Sequence, residues 1–101
     1  MVEVNWTIQS LNDIDSISEF IAKDSMHYAQ IQAKRFFDAV LILEKVPQYG
    51  KIVPEKKDPL LREILLGSYR IIYRIVSDEK IDIVTIHHSK RLLKNNPAIE
   101  E

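Results

Sequence analysis

The stretch GSYRIIYRIVSD, residues 67–78, decides the fold of this chain. Its residues alternate with the period of a β-strand, and turn residues bound it, with Gly67 before the strand and Ser77 and Asp78 after it. One face carries Tyr69, Ile71, Tyr73 and Ile75, and the other carries Arg70, Ile72, Arg74 and Val76. We therefore predict that helices cover the first face, while the face with the arginines stays open to solvent or to a partner.

The segments on either side have the same period. LLREILLG at 60–67 and KIDIVTIHH at 80–88 are separated from the central strand by Gly67-Ser68 and Asp78-Glu79. Such short connections predict hairpins, so we expect an antiparallel meander of three strands. The preceding segment, 51–59, contains two prolines and is predicted to be a loop with at most an edge strand.

The first half of the chain predicts one strand and two helices. VEVNWTI at 2–8 alternates like a half-buried strand, and Ser10 then begins a helix with Asp13 as its capping-box partner. KDS at 23–25 separates this helix from a second one, which ends before Pro47 and Gly50. The predicted fold is a single α+β domain of order β-α-α-β-β-β over residues 1–101. A helical hairpin packs on one face of an antiparallel sheet, and the tail frays from about Leu92.

Composition excludes several classes of protein. The chain has 101 residues and no cysteine, which excludes disulfides and thiolate metal sites. It shows no signal-peptide pattern, and its longest apolar runs fall far short of the roughly 20 residues of a membrane span. The net charge of −1 divides into −3 for residues 1–50 and +2 for residues 51–101. We expect a soluble cytoplasmic protein with no membrane partner.

The candidate polar residues point away from cofactor chemistry. With two glycines in the chain there is no glycine-rich nucleotide loop. His87 and His88 are neighbours in a strand and should point to opposite faces, so they cannot chelate one metal ion. Arg70 and Arg74 are about 13 Å apart along a strand and should make separate contacts. We predict neither a cofactor nor a metal.

Four motifs in order carry a resemblance to a known family. They are VPQYGKIVPE at 46–55, LREI at 61–64, GSYRIIYRI at 67–75 and IVTIHHSKRLL at 83–93, and Trp6 and the two helices lie in the expected places. Together they resemble the RelE/ParE superfamily of toxins from type II toxin–antitoxin systems. The resemblance implies a toxin held inactive in a hetero-oligomer with a cognate antitoxin. We expect acidic antitoxin residues to meet some of Arg70, Arg74, Lys90 and Arg91.

The superfamily implies two mechanisms. In the RelE-like branch, an mRNA endonuclease acts on the ribosome, and Glu55, Arg70 and His88 match its base, phosphate clamp and acid. The paired lysines of RelE itself are absent, since Leu61 and Glu63 stand there. In the ParE-like branch, the toxin inhibits DNA gyrase without a catalytic group of its own.

Three features favour the ParE-like branch. The last strand ends in His88 followed by the basic pair Lys90 and Arg91, and the turn P-x-x-G-K spans residues 47–51. The near-neutral charge also fits poorly with a protein that enters a ribosomal RNA site. The RelE-like nuclease is the alternative, and a non-toxic binding module on the same scaffold is a third hypothesis.

Overall fold

The computed structural model describes residues 1–99 and has the predicted α+β architecture. In chain order the elements are β1 (Glu3–Trp6), α1 (Ile8–Ala22), α2 (Met26–Ala39), β2 (Lys51–Ile52), β3 (Leu61–Leu66), β4 (Tyr69–Ser77) and β5 (Lys80–His88). Single 3₁₀ turns lie at Leu41–Glu44 and Leu93–Asn95. The strand order in the sheet is β1-β5-β4-β3-β2. β3, β4 and β5 form the predicted antiparallel meander, whereas β1 joins its far edge in parallel to β5, so the sheet is mixed and not antiparallel throughout.

The segment before β3 confirms the prediction of an edge strand at most. β2 has two residues and pairs with β3 through Lys51 with Glu63 and Ile52 with Arg62.

Among the described residues, no helix is both long enough and apolar enough to span a bilayer.

The start of α1 differs from the prediction. Thr7, not Ser10, is the N-cap, and its hydroxyl oxygen accepts a hydrogen bond from the backbone N–H of Ser10 at 3.2 Å. The same hydroxyl donates to the carbonyl of Ile83 at 2.7 Å, which fixes the beginning of the helix at the end of β1. Asp13 is not a capping partner. Its carboxylate accepts hydrogen bonds from the Thr85 hydroxyl and the Ile86 backbone N–H, and so joins α1 to β5.

The helices cover the predicted face of the sheet. Ile71 and Tyr73 of β4 are fully buried in a core cluster with Ile14 of α1 and Phe36 of α2. The Phe36 ring packs edge-on against Tyr69, with 5.3 Å between the ring centroids. Burial of this apolar face stabilises the folded sheet through the hydrophobic effect.

The opposite face is not open as predicted. Ile72 is fully buried and Arg70 is 8% exposed, because a second apolar cluster covers them. That cluster consists of Val53, Leu61, Ile72, Leu93 and Ile99. Arg74 and Val76, further along β4, do remain exposed.

The prediction of a frayed tail is also wrong for residues 92–99. Leu93 and Ile99 are 4% and 7% exposed, since they supply the apolar cover that the helices cannot give to the second face. Residues 100 and 101, which that prediction also included, lie outside the described residues.

Candidate functional site

An arginine and two glutamates meet on the second face of the sheet. The Nε of Arg70 donates to Glu63 Oε1 at 2.6 Å, and its Nη1 and Nη2 donate to the two carboxylate oxygens of Glu55 at 2.8 Å each. Lys51 Nζ lies 3.6 Å from the other oxygen of Glu63. Arg70 thus holds a two-pronged contact with Glu55 and a single one with Glu63, which are the strong geometries for a guanidinium.

The ion pairs of Arg70 with the two glutamates stabilise the charged forms of the groups and shift their pKa values. The hydrogen bonds from Arg70 lower the pKa of Glu55 from 4.5 to about 2. The hydrogen bonds from Glu55 and then Glu63 raise the pKa of Arg70 further above its ordinary value. The two carboxylates differ in burial, because the side chain of Glu55 is 44% exposed and that of Glu63 is 2% exposed. Glu55 is therefore the partner that solvent or a ligand can reach.

A tight turn after β2 places Glu55 over Arg70. Val53 is fully buried, and its carbonyl accepts hydrogen bonds from the backbone N–H groups of Lys56 and Lys57. Lys57 has a φ of 52°, which closes the turn in the left-handed region. Burial of Val53 in the second apolar cluster thus fixes the segment that carries Glu55.

Of the three residues predicted for a nuclease site, the structure brings two together. His88 pairs with Tyr69 across the β4–β5 ladder, and their rings contact edge-on with centroids 5.5 Å apart. Tyr69 packs on the helix side of the sheet, whereas Arg70 points to the second face. The sheet therefore separates His88 from Glu55 and Arg70. The nuclease roles of these residues stay a prediction.

His87 is the histidine that shares a face with Arg70, and sequence reasoning gave it no role. The ring is 5% exposed, with Nε2 2.9 Å from the Arg91 carbonyl and Nδ1 3.0 Å from the Asn96 side-chain nitrogen. Asn96 Oδ1 accepts from the Ala98 backbone N–H, so its amide nitrogen is the donor to the ring. His87 then accepts at Nδ1 and donates at Nε2. Through these two contacts the His87 ring ties both ends of segment 91–96 to β5.

A cleft with strong positive charge opens beside Glu55. It has a volume of about 420 Å³, and its lining includes Glu55, Arg70, Ser89, Lys90, Arg91 and Lys94, with Lys56 and two leucines. We call it the basic cleft. Within residues 1–99, the side chains of Lys90, Arg91 and Lys94 form no ion pair, and all three are exposed. Lys90 and Arg91, two of the predicted contact residues, therefore line this cleft, and Lys94, which the sequence analysis did not single out, lies beside them.

A second cavity lies on the helix side of the same end of the sheet. It has a volume of about 570 Å³ between α1 and the ends of β4 and β5, lined by Asp13, Ser16, Ile17, Phe20, Tyr69, Ile86, His88, Lys90 and Arg91. We call it the helix groove. Phe20 on its rim is 69% exposed, which is unusual for a ring of that size. Lys90 and Arg91 border both cavities, whereas Lys94 and Ser89 belong to the basic cleft.

Arg74, the remaining predicted contact residue, lies apart from these cavities. Its Nη1 is 3.3 Å from Asp58 Oδ2, in a partly exposed ion pair on the second face of the sheet. The backbone N–H of Leu60 and then Arg74 hold the pKa of Asp58 below its usual value. Part of the charge of Arg74 is therefore already matched within the chain.

Comparison with known proteins identifies the family. The family model for "ParE toxin of type II toxin-antitoxin system, parDE" matches residues 4–93. No curated protein matches the chain in sequence. Among solved structures, a chain of the "Chromosomal ParDE TA system from P. aeruginosa" has a TM-score of 0.72 at 21% identity, covering 87% of this chain and 96% of that one. This likeness concerns the fold, while the match over residues 4–93 shows that the chain belongs to the ParE toxin family of type II toxin–antitoxin systems.

Proposed function

We propose that this protein is a toxin that inhibits DNA gyrase and that a cognate antitoxin neutralises it by binding. The match to the ParE toxin family over residues 4–93 supports the toxin assignment. The burial and pairing of the Arg70 side chain favour gyrase inhibition over mRNA cleavage, since Arg70 is the residue that would hold the scissile phosphate in a nuclease. Three of its N–H groups donate to carboxylates, and the side chain is 10% exposed.

A phosphate could reach Arg70 only after displacing Glu55. The Glu55 carboxylate covers the guanidinium from the solvent side and is ionised at neutral pH, so it would repel an incoming phosphate. His88, the predicted acid, lies across the sheet from Arg70 and packs on Tyr69. A proton donor on the opposite face cannot serve a leaving group bound at Arg70, because proton transfer needs hydrogen-bond contact. These contacts support a toxin that acts by binding.

The helix groove and its basic rim fit an antitoxin segment. The groove offers apolar surface from Ile17, Phe20 and Tyr69, and Lys90 and Arg91 stand at its edge without ion pairs in the described part of the chain. Interfaces of this kind combine apolar anchors with charge pairing at the rim. We propose that acidic antitoxin residues meet Lys90 and Arg91, since Arg70 is buried and Arg74 already pairs with Asp58.

The mechanism is tested with the purified full-length toxin in two assays. In the first, gyrase supercoils a relaxed plasmid, and we expect dose-dependent inhibition. In the second, programmed ribosomes carry a reporter mRNA, and we expect no cleavage within codons. Inhibition of gyrase that survives His88→Gln supports the proposal, as does induction of the SOS response in cells. Codon-positioned mRNA cleavage that His88→Gln abolishes, with gyrase unaffected, would establish the nuclease instead.

The antitoxin is tested by co-expression with the product of the neighbouring reading frame. We expect rescue of growth and one hetero-oligomeric peak on gel filtration. Lys90→Glu with Arg91→Glu should weaken this complex, while the charge-matched control Lys34→Glu with Arg35→Glu on α2 should not. A toxin that elutes alone contradicts the proposed partner. Strong expression of folded toxin without growth arrest would favour the non-toxic binding module.

A further inference from the structure

The basic cleft concentrates positive charge on a chain whose net charge is −1. Lys90, Arg91 and Lys94 lie around one cavity without ion pairs among the described residues. Glu55 is the acidic residue that the described part of the chain contributes to the lining, and both of its carboxylate oxygens are already bonded to Arg70. The three cations therefore face solvent with little local compensation, which favours an anionic ligand.

The backbone that carries these cations is fixed in place. The N–H of Ser89 donates to the Ser68 carbonyl at 2.8 Å, and the Arg91 carbonyl accepts from the buried ring of His87. Leu93, between Arg91 and Lys94, is 4% exposed in the second apolar cluster. Anchoring of the segment before binding reduces the entropy lost when a ligand orders it.

The chemistry of the lining selects among anionic macromolecules. Beyond its charged residues, the lining includes Ser89, Leu92 and Leu93, and its described part contains no aromatic ring. Single-stranded nucleic acids are usually held by stacking on aromatic side chains, whereas duplex phosphates are contacted by Lys, Arg and Ser. The aromatic surface suited to a peptide anchor lies in the helix groove instead.

We propose that the basic cleft binds the phosphate backbone of duplex DNA through Lys90, Arg91 and Lys94. For its role in the cell this inference rests on the proposed function: the toxin contacts the DNA that the topoisomerase holds, in addition to the enzyme. An antitoxin segment on Lys90 and Arg91 removes two of the three phosphate contacts. The antitoxin would then neutralise the toxin in part by competing with DNA for Lys90 and Arg91.

The test is fluorescence anisotropy of a labelled 20-base-pair duplex with the full-length toxin in increasing KCl. Three phosphate contacts predict a slope of log affinity against log salt of about −2.7, equivalent to about a 40-fold loss between 50 and 200 mM. Lys90→Gln, Arg91→Gln and Lys94→Gln together should abolish binding. The control Lys34→Gln, Arg35→Gln and Lys45→Gln removes the same charge elsewhere and should bind like the unmodified protein.

Lys94→Gln alone separates DNA from the antitoxin, because Lys94 lines the basic cleft and not the helix groove. We expect it to reduce the salt slope to about −1.8 and to leave the antitoxin complex intact. Equal binding by the triple variant and its control would overturn the inference. The inference would also be overturned if polyglutamate displaced the labelled duplex as effectively as unlabelled duplex does. Binding of single-stranded poly(U) that is tighter than binding of the duplex would overturn it as well.

The outcomes also separate this inference from the proposed function. Inhibition of gyrase without measurable duplex binding by the toxin would overturn the DNA site and leave gyrase inhibition standing. Salt-dependent duplex binding that the triple variant loses, with no effect on gyrase, would support the DNA site and refute gyrase inhibition.

Discussion

Replacement of Arg70 by methionine tests how the second face of the sheet is held together. Methionine keeps the aliphatic bulk of the arginine stem and removes the guanidinium. The Glu63 side chain, 2% exposed, then loses the partner that lies 2.6 Å away. Lys51 remains at 3.6 Å, but its side chain is 58% exposed and its contact is correspondingly screened.

The expected loss of unfolding free energy is about 3–5 kcal/mol, the cost of leaving one member of a buried ion pair without the other. Glu55→Gln should cost about 1 kcal/mol or less, because the Glu55 side chain is 44% exposed and solvent screens its interaction. The double variant Arg70→Met with Glu63→Gln removes the stranded charge. It should therefore recover about 2 kcal/mol relative to Arg70→Met alone.

The measurement is urea unfolding at pH 7, followed by far-ultraviolet circular dichroism, for the four proteins of the Arg70–Glu63 double-mutant cycle. Arg70→Lys serves as the control that keeps the charge and loses the two-pronged geometry, and its stability should fall between those of the unmodified protein and Arg70→Met. A cost below about 1 kcal/mol for Arg70→Met, typical of an exposed pair, would refute the reasoning. A double variant no more stable than Arg70→Met would refute it as well.

Two further predictions concern the same region. The pKa of Glu55 is about 2 in the folded protein against 4.5 ordinarily, so its contribution to stability is complete above pH 4.5 and disappears as the pH falls towards 2. Between pH 6 and pH 3, the unfolding free energy of Glu55→Gln should thus fall by less than that of the unmodified protein. Equal falls for the two proteins in urea titrations would contradict this prediction. Gly50→Ala should lower the unfolding free energy by about 1–3 kcal/mol, because a Cβ there would lie 2.6 Å from the Glu63 carbonyl and 2.7 Å from the buried Tyr73 ring. Gly67→Ala meets nothing within 4 Å and should cost about 1 kcal/mol through its φ of +57°, so a smaller thermal shift for Gly50→Ala than for Gly67→Ala would argue against the close approach at Gly50.

Much of the fold followed from local periodicity. The alternation in residues 67–78 and the short connections around it were enough to predict the meander and the face that the two helices of the first half cover, which is the Ile71–Tyr73 face. These features depend on residues close together in the chain, where backbone geometry alone relates pattern to structure. The location of Lys90 and Arg91 at one end of the sheet likewise follows from the sequence, since they lie just beyond the end of the last strand.

The tertiary structure alone decided what covers the second face and which side chains meet there. Two register shifts in the β4–β5 ladder, between Ile72 and Tyr73 and between Ile75 and Ser77, put Ile86 and His88 on the same face as Ile83, although strict alternation along β5 would place them on the opposite one. Alternation counted along one strand cannot show such a shift, because it arises from the pairing of two strands. The bond from Thr85 to Asp13 spans 72 residues, and the burial of Leu93 and Ile99 likewise depends on partners distant in the chain. The sequence by itself determined which segments are strands and helices, and packing between distant segments determined that Arg70 is buried between two carboxylates.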